Sequence, residues 1–463
     1  MIVRLSGVPG HLVFPFCLIL LALGDANAQT IEDTLMIAYR NNPTLLGQRA
    51  KLRATDEGVP QALSDWRPSV EITGSAGLEG INNSIATGAL GRGQHREPRS
   101  LGMTLTQSLY RGGRTLAATR EAENTVHAER ARLSETEQDV LLDAATAFMD
   151  VFRDEAVLKL NINNEQVLKR QFEATRDRFE VGEITRTDVH QAEARLAGAA
   201  ADRIESEGNL EASRATYQNI VGMSAPRGLK APARAYALPD DKATANMTAA
   251  VDNPVVVSAE FDRKALEDKV DEVRGELLPT LSVSTGVTRA FESSSQTGRL
   301  DTAKLTLNLT VPLYQQGEVF SRLREAKQDV AEQVQIVDKA RRDAIEEATR
   351  AWESLVTARA RVKSFKAQIK ANVVALEGVE REAQVGSRTV LDVLDAEQEL
   401  LDSRVAHVRA QRDELVAVFE LKEGMGQLTA REMRLPVEYY DPTGHYRGVR
   451  NKWFGGAGKD GEQ

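Results

Sequence analysis

The segment Lys304–Tyr314, KLTLNLTVPLY, sets Leu305, Leu307, Leu309, Val311 and Leu313 against Thr306, Asn308 and Thr310 in alternation. A period of two places the apolar side chains on one face of a strand and the hydroxyl and amide groups on the other. An earlier segment, LGMTLTQSLY (Leu101–Tyr110), repeats the pattern with Leu101, Met103, Leu105 and Leu109 against Thr104, Thr106 and Ser108. Each is preceded by a weaker version, Val70, Ile72, Ala76 and Leu78 in the first case, and Leu281, Val283 and Val287 in the second. Two pairs of strands are therefore expected, each pair joined by a Gly/Ser/Asn-rich loop (Glu79–Ser100 and Phe291–Thr302) and each strand with one greasy and one wet face.

Outward from these strands the chain is written twice. YRGG (Tyr110–Gly113) recurs 204 residues later as YQQG (Tyr314–Gly317). Phe148 in ATAFMDV meets Trp352 in TRAWESL, and Gly182 in FEVGEITRTDV meets Gly386 in AQVGSRTVLDV, at the same offset of 204. Upstream, Asn42-Pro43 matches Asn253-Pro254 and Pro68 matches Pro279 at an offset of 211. The difference falls in the loop between Pro68 and Tyr110. A constant spacing over so many landmarks reads as an internal duplication with pseudo-twofold symmetry, not as a solenoid of short units. The expected divisions are a leader at 1–28, a first repeat over 29–222, an equatorial insert over 223–242, a second repeat over 243–427, and an equatorial or flexible tail over 428–463.

Each copy lists the same elements. An Asn-Pro break ends one helix and opens another, since proline cannot continue a helix but suits its first turn. That second helix is expected over about Pro43–Asp65 and Pro254–Leu277, before the strands. After Gly113 and Gly317 come proline-free stretches of about 70 residues, rich in Ala, Glu, Arg, Leu and Val, which at 1.5 Å per residue would reach about 105 Å. Gly182 and Gly386 mark the hairpin turns, where a left-handed residue closes a helix. The return helices, from about Thr187 to Gly222 and Thr389 to Gly424, reach only about 54 Å. The missing length is expected to be filled by the helix before the strands, stacked end to end on the return helix, with a belt at mid-height.

Composition narrows the function. Hydrophobic residues are 41%, aromatic residues 5%, and Lys+Arg 59 against Asp+Glu 68 leaves a net charge of −9. No basic patch invites nucleic acid. One cysteine and six histidines offer little for thiol or metal chemistry, and no nucleophile–base set or metal spacing appears. Neither GRG (Gly91–Gly93) nor RGG (Arg111–Gly113) sits in a strand–loop–helix phosphate cradle, so both read as turns. No catalytic residue, cofactor or metal is expected. Arg4, the apolar run His11–Gly24 and Ala26-Asn27-Ala28 read as a cleaved secretory signal peptide, and its removal takes Cys17 with it.

The mature chain has no apolar stretch long enough for a membrane helix. Lipid tolerates strands only in a closed barrel, and the smallest such barrels use eight, so four strands must be pooled from several chains. From periodicity alone two readings stand, that pooled barrel and a soluble four-stranded sheet capping a coiled coil. The leader peptide and the aromatic strand ends Trp66, Tyr110 and Tyr314 tilt toward the membrane.

The doubled layout, YQQG after a strand, GEITRTDV (Gly182–Val189) and GSRTVLDVLDAEQELLDSR (Gly386–Arg404) resemble the TolC family of outer-membrane channel proteins, over nearly all the mature chain up to about Leu428. The tail YYDPTGHYRGVRNKWFG (Tyr439–Gly455) is similar to tails in some branches of that family. The resemblance implies a mainly helical fold with a membrane β-barrel portion. Each protomer would contribute four long helical ribs and four strands to a homotrimer, a twelve-stranded β-barrel on a twelve-helix α-barrel. It further implies an exit duct for multidrug efflux or type I protein secretion, joined to a periplasmic adaptor and an RND- or ABC-type inner-membrane transporter. The competing reading is a non-pore periplasmic coiled-coil adaptor, although adaptors usually carry one hairpin inside a β-rich wrapper.

By the same resemblance Asp392 and Asp395 line the periplasmic constriction and set cation preference. They lie three residues apart on one helix face, and carboxylates converging on a threefold axis attract cations. Arg388 matches the family's gate arginine, with Thr187 and Asp188 as its partners on the neighbouring hairpin. An exposed pair of this kind is worth only about 0–1 kcal/mol. Ala383 stands where the family's best-studied pattern has a tyrosine, so an aromatic latch contact is expected to be missing. His190, a lone helical histidine, reads as an ordinary surface residue.

Overall fold

In this computed structural model the structure describes residues 30–81, 94–226, 228–229, 236–293 and 298–456. The expected leader with Cys17, the Gly91–Gly93 turn, residues 227 and 230–235 of the insert, and the last tail residues 457–463 lie outside the described residues.

The chain begins with α1 (Ile31–Asn41), α2 (Pro43–Asp56) and α3 (Gly58–Ser64), and passes through β1 (Ser69–Ala76), β2 (Glu79–Ile81), β3 (Gln94–Arg96) and β4 (Arg99–Arg111) into the hairpin α4 (Arg114–Glu180) and α5 (Arg186–Val221). The second half follows with α6 (Lys242–Asp252), α7 (Pro254–Gly275), β5 (Thr280–Phe291), β6 (Arg299–Thr310), the hairpin α8 (Glu318–Gln384) and α9 (Val390–Gly424), and a last short helix, α10 (Gly444–Val449). α4 and α8 have 67 residues each, which is about 100 Å of helix. α5 and α9, with 36 and 35, span about half of that.

One buried amide solves the mismatch in each half. Asn42 caps α2 by accepting from the Thr44 and Leu45 amides at 2.9 and 3.4 Å, and its Nδ2 donates to the Ile220 carbonyl in the last turn of α5 at 2.9 Å. Asn253 caps α7 by accepting from the Val255 amide at 2.9 Å, and its Nδ2 donates to the carbonyl of Gly424 at the end of α9 at 3.1 Å. A helix start lacks acceptors and a helix end lacks donors, so a side chain carrying both joins the two ends directly. The result is four long ribs: α4, α8, α5 continued by α2 and α3, and α9 continued by α7. The first spliced rib is broken at Glu57, where one helix was expected over Pro43–Asp65. Pro60 has no amide hydrogen and its ring crowds the Asp56 carbonyl, which divides α2 from α3.

The main sheet runs β1-β4-β5-β6, antiparallel throughout. Its register stacks the apolar positions. Ile72 pairs with Met103 and Met103 with Val287, while Val283 pairs with Leu307 and Leu281 with Leu309. Directly opposed residues share a face, so these residues, with Val70, Leu101 and Leu305, form one apolar surface. Glu71, Thr104, Gly286 and Lys304 align on the other face. A one-residue slip would invert every strand. The apolar surface is uncovered in the single chain, and among the described residues β1 and β6 end the sheet with unpaired edges. The first loop, expected to be irregular over Glu79–Ser100, instead continues at its base as a ribbon, β2 against β3.

The main core lies at mid-height. Ile31, Leu35 and Tyr39 of α1, Leu141, Phe148 and Met149 of α4, Tyr217 of α5 and Phe419 of α9 are all buried there. The second half uses smaller side chains, with Ala340, Ala344, Ala348, Ala351 and Ala358 forming much of the buried seam of α8, in which nothing after Ala358 is buried. The tail, expected to be equatorial or flexible, is packed over much of its described length. Leu428, Ala430, Met433 and Leu435 complete the equatorial core, and the Leu428 and Ala430 amides donate to Gln138 and Glu137 at 3.1 and 2.7 Å. Gly426 starts this turn at φ 76°, and a Cβ there would stand 2.4 Å from the Asp252 carbonyl.

Asn253→Ala should lower the thermal midpoint of helical ellipticity in detergent, at a cost of about 1–3 kcal/mol for a lost cap and an orphaned carbonyl. Asn253→Asp keeps the cap but cannot donate to Gly424, so it should fall as well. An Asp variant as stable as the parent would show that the splice contributes nothing.

Candidate functional site

The two hairpin tips are built alike. Gly182 and Gly386 both take φ 81°, and the amides of Glu183 and Ser387 reach back to the carbonyls of Arg178 and Glu382 at 3.0 Å each. This is the left-handed closure that frees the chain to reverse. Thr185 then opens α5 and Thr389 opens α9, each with a capping box. Asp188 accepts from the Thr185 amide and hydroxyl at 3.0 and 2.8 Å; Asp392 does the same for Thr389, at 2.8 Å for both. These hydrogen bonds hold the Asp392 carboxyl below its usual range, with Arg388 adding a smaller pull. Two of the acids singled out in the sequence thus have a local duty in starting a helix.

Asp395 projects from α9 across to the first hairpin, where Arg195 of α5 meets it at 2.5 Å. Beneath this pair Leu394 packs with Leu168, Ala192 and Ala199, so α9 is seated on α4 and α5. One turn further up, Glu397 is buried, accepts from Gln171 Nε2 at 3.4 Å, and has its Oε2 without a partner. Burial pushes its carboxyl up, Gln171 opposes this, and Glu380 adds to it. Sequence reading missed Arg195, Gln171 and Glu397. Only the helical phase of α5 and α9, known once the hairpins are packed, shows that they face each other.

Arg388 finds its partners in its own turn. Within the chain it pairs with Glu382 at 3.0 Å and approaches Asp392 at 3.9 Å, not Asp188. The reason is reach, because Glu382 closes the same turn six residues away. Thr187 is exposed on the first turn of α5. His190 contacts Glu193 at 3.0 Å on its own helix. Among the described residues no group of acids, histidines and cysteines has metal-binding geometry.

A second carboxylate group, also missed, lies at mid-height where α4, α8 and α9 meet. Burial pushes Glu423 up to about 8, and the nearby Asp139 and Glu347 carboxylates reinforce the shift. Asp139 is also raised by burial, and its hydrogen bond with Glu423 pulls it back. Glu423 is therefore the member that keeps its proton near neutrality. Far apart in sequence, these acids gave no signal beyond ordinary helix surface.

The chain matches the family described as outer membrane efflux protein over residues 35–223 and 247–427. It is 33% identical over 440 residues to the outer membrane efflux protein BepC of Brucella suis biovar 1, covering 94% of each chain. It is 23% identical over 421 residues to the proteases secretion protein PrtF of Dickeya chrysanthemi, covering 89% of this chain and 91% of the other. Its fold is that of the Campylobacter jejuni CmeC outer membrane channel, with a TM-score of 0.75 at 15% identity over 86% of each chain. The chain belongs to the outer membrane efflux protein family, the TolC family whose hairpin motifs it carries, and its place is the outer membrane with an extension into the periplasm.

For Glu423 the sign is fixed by its folded value of about 8 against an ordinary 4.5. The folded state holds this proton more tightly, so its contribution to stability is complete below about 4.5 and is lost as pH rises toward about 8. Glu423→Gln should flatten the fall in unfolding midpoint between those limits and raise the midpoint at pH 8. Parallel curves for variant and parent would refute the assignment.

Proposed function

We propose that three copies of this chain close their four-stranded sheets into one twelve-stranded barrel and their ribs into one twelve-helix tube, forming a passive exit duct for tripartite efflux or type I secretion. The observation that carries this reading is the uncovered apolar sheet face with two open edges, standing on helices of about 100 Å. In lipid such edges must be paired, and among the described residues a single chain brings a main sheet of four strands. The matching succession of elements in 29–222 and 243–427 supports a duplication, which lets each copy supply two similar hairpins to a near-symmetric ring. A water-filled tube does no chemistry, so energy and cargo choice belong to an inner-membrane transporter of RND or ABC type, coupled through a periplasmic adaptor. BepC is named for efflux and PrtF for protease secretion, and a wide passive outlet suits either cargo.

The tips supply the gate. Asp392 and Asp395 of each copy converge on the threefold axis and form an acidic constriction that favours cations. Gly182 and Gly386 fix the turns that carry it. Two sets of contacts restrain opening. Arg195–Asp395 clasps the hairpins within one copy. Arg388 exchanges its own-loop partners for Asp188 and Thr187 of the adjacent hairpin as the ring tightens. Each exposed pair is worth about 0–1 kcal/mol, so three symmetry-related pairs shift the open population by up to about two decades.

Purified protein in planar bilayers tests the whole reading. A small cation-selective conductance is expected, and Asp392→Asn with Asp395→Asn should abolish the selectivity. Arg195→Ser and Arg388→Ser should each raise the conductance. A silent, monomeric protein would instead support the coiled-coil adaptor.

A further inference from the structure

The C-terminal segment leaves the equatorial core and climbs along α4. Its contacts mark the ascent, with Leu428 on Gln138, Tyr446 and Arg450 on Glu123 at 3.2 and 2.8 Å, and the Lys452 carbonyl on Arg67 at 2.7 Å. From Gln138 to Glu123 is about 22 Å along the helix axis. The climb is clipped midway by His445, whose Nδ1 lies 3.2 Å from the buried Asp56 carboxylate, and by Arg130 stacked 5.1 Å from the centre of the Tyr446 ring. It arrives two residues before β1, where the Arg67 guanidinium lies 5.1 Å from the centre of the Trp453 ring.

At that point the tail exposes two large apolar groups, Trp453 at 58% and Phe454 at 87%. An exposed Trp-Phe pair held in place by ordered contacts is poorly suited to water. Its surroundings are the bases of the strands, where Trp66, Tyr110, Leu278 and Tyr314 are exposed as well. Indole and phenol rings with basic neighbours favour the boundary between phospholipid headgroups and acyl chains.

We propose that Trp453 and Phe454 form a lipid-interface anchor, inserted into the headgroup region of the phospholipid leaflet beside the base of the barrel. The occupant is a phospholipid surface, argued from the contact of Trp453 with Arg67 just before β1 and from the exposed Trp66 and Tyr110 at the strand bases. The proposal rests on the membrane barrel proposed above, and not on the gate or the cargo. Such an anchor would tie the mid-height core to the membrane from outside the tube, through the Asp56–His445 and Arg67–Trp453 contacts.

The chain has three tryptophans, Trp66, Trp352 and Trp453, so Trp66→Phe with Trp352→Phe leaves Trp453 as the single reporter. The full-length protein is reconstituted into phosphatidylethanolamine–phosphatidylglycerol vesicles, with and without bromine on the upper acyl carbons. The expected result is a large loss of Trp453 emission in bromolipid and little loss to aqueous acrylamide. A companion variant that retains only Trp66 verifies insertion of the barrel. With that control quenched by bromolipid, quenching of Trp453 by acrylamide alone would mean a solvated tail. Protection from both agents would mean cover by another copy of the chain. Either result overturns the proposal.

Discussion

An asparagine amide that faces two helix ends at once is the constraint from which this architecture follows. Ribs standing beside helices of about 100 Å need equal height, but a chain whose return helices stop at about half that length cannot supply them all as single helices. Asn42 and Asn253 settle the conflict by giving an acceptor to the helix that begins and a donor to the helix that ends. Because both groups sit on one planar side chain, the two helix ends are fixed in distance and in phase. The proline that follows each asparagine helps, having no amide hydrogen left to satisfy in the first turn.

The sheet imposes a complementary demand. Its register is specified by side-chain alternation, and its hydrogen bonds are complete only between β1 and β6. In water such edges invite aggregation; in hydrocarbon they are forbidden, which turns an apparent defect into a reason for assembly. The helices, in contrast, are laced by ion pairs such as Arg132–Asp262 and Arg412–Asp150, at 2.5 and 2.8 Å, which orient neighbouring ribs while leaving the surface compatible with water.

Much of this was legible in the residues because it rests on local rules. Alternation of Leu with Thr announces a strand, a proline-free run closed by Val-Gly announces a hairpin, and repeated spacings expose the doubled layout. The rest depends on facing surfaces. Asn-Pro is readable as a break, but the carbonyl that its amide reaches lies far along the chain. Arg195 and Asp395 are each unremarkable helix residues, and they meet only because Leu394 packs between α4 and α5. Arg388 adds a nearer contact that the sequence did not suggest, since within one chain it pairs with Glu382 in the same turn. The tail was open between an equatorial and a flexible reading, because the residues that receive it, Asp56, Glu123 and Arg67, lie far away in sequence.

The alanine seam of α8 has a mechanical meaning. Low ridges interlock weakly, so such a contact specifies axial position poorly and resists shear less than one built on leucine and phenylalanine. Since burial along α8 stops at Ala358 within one chain, the far end of that rod is held to its own chain by fewer buried contacts than its middle. The molecule is thus graded in stiffness, rigid at its waist and compliant at one of its two tips.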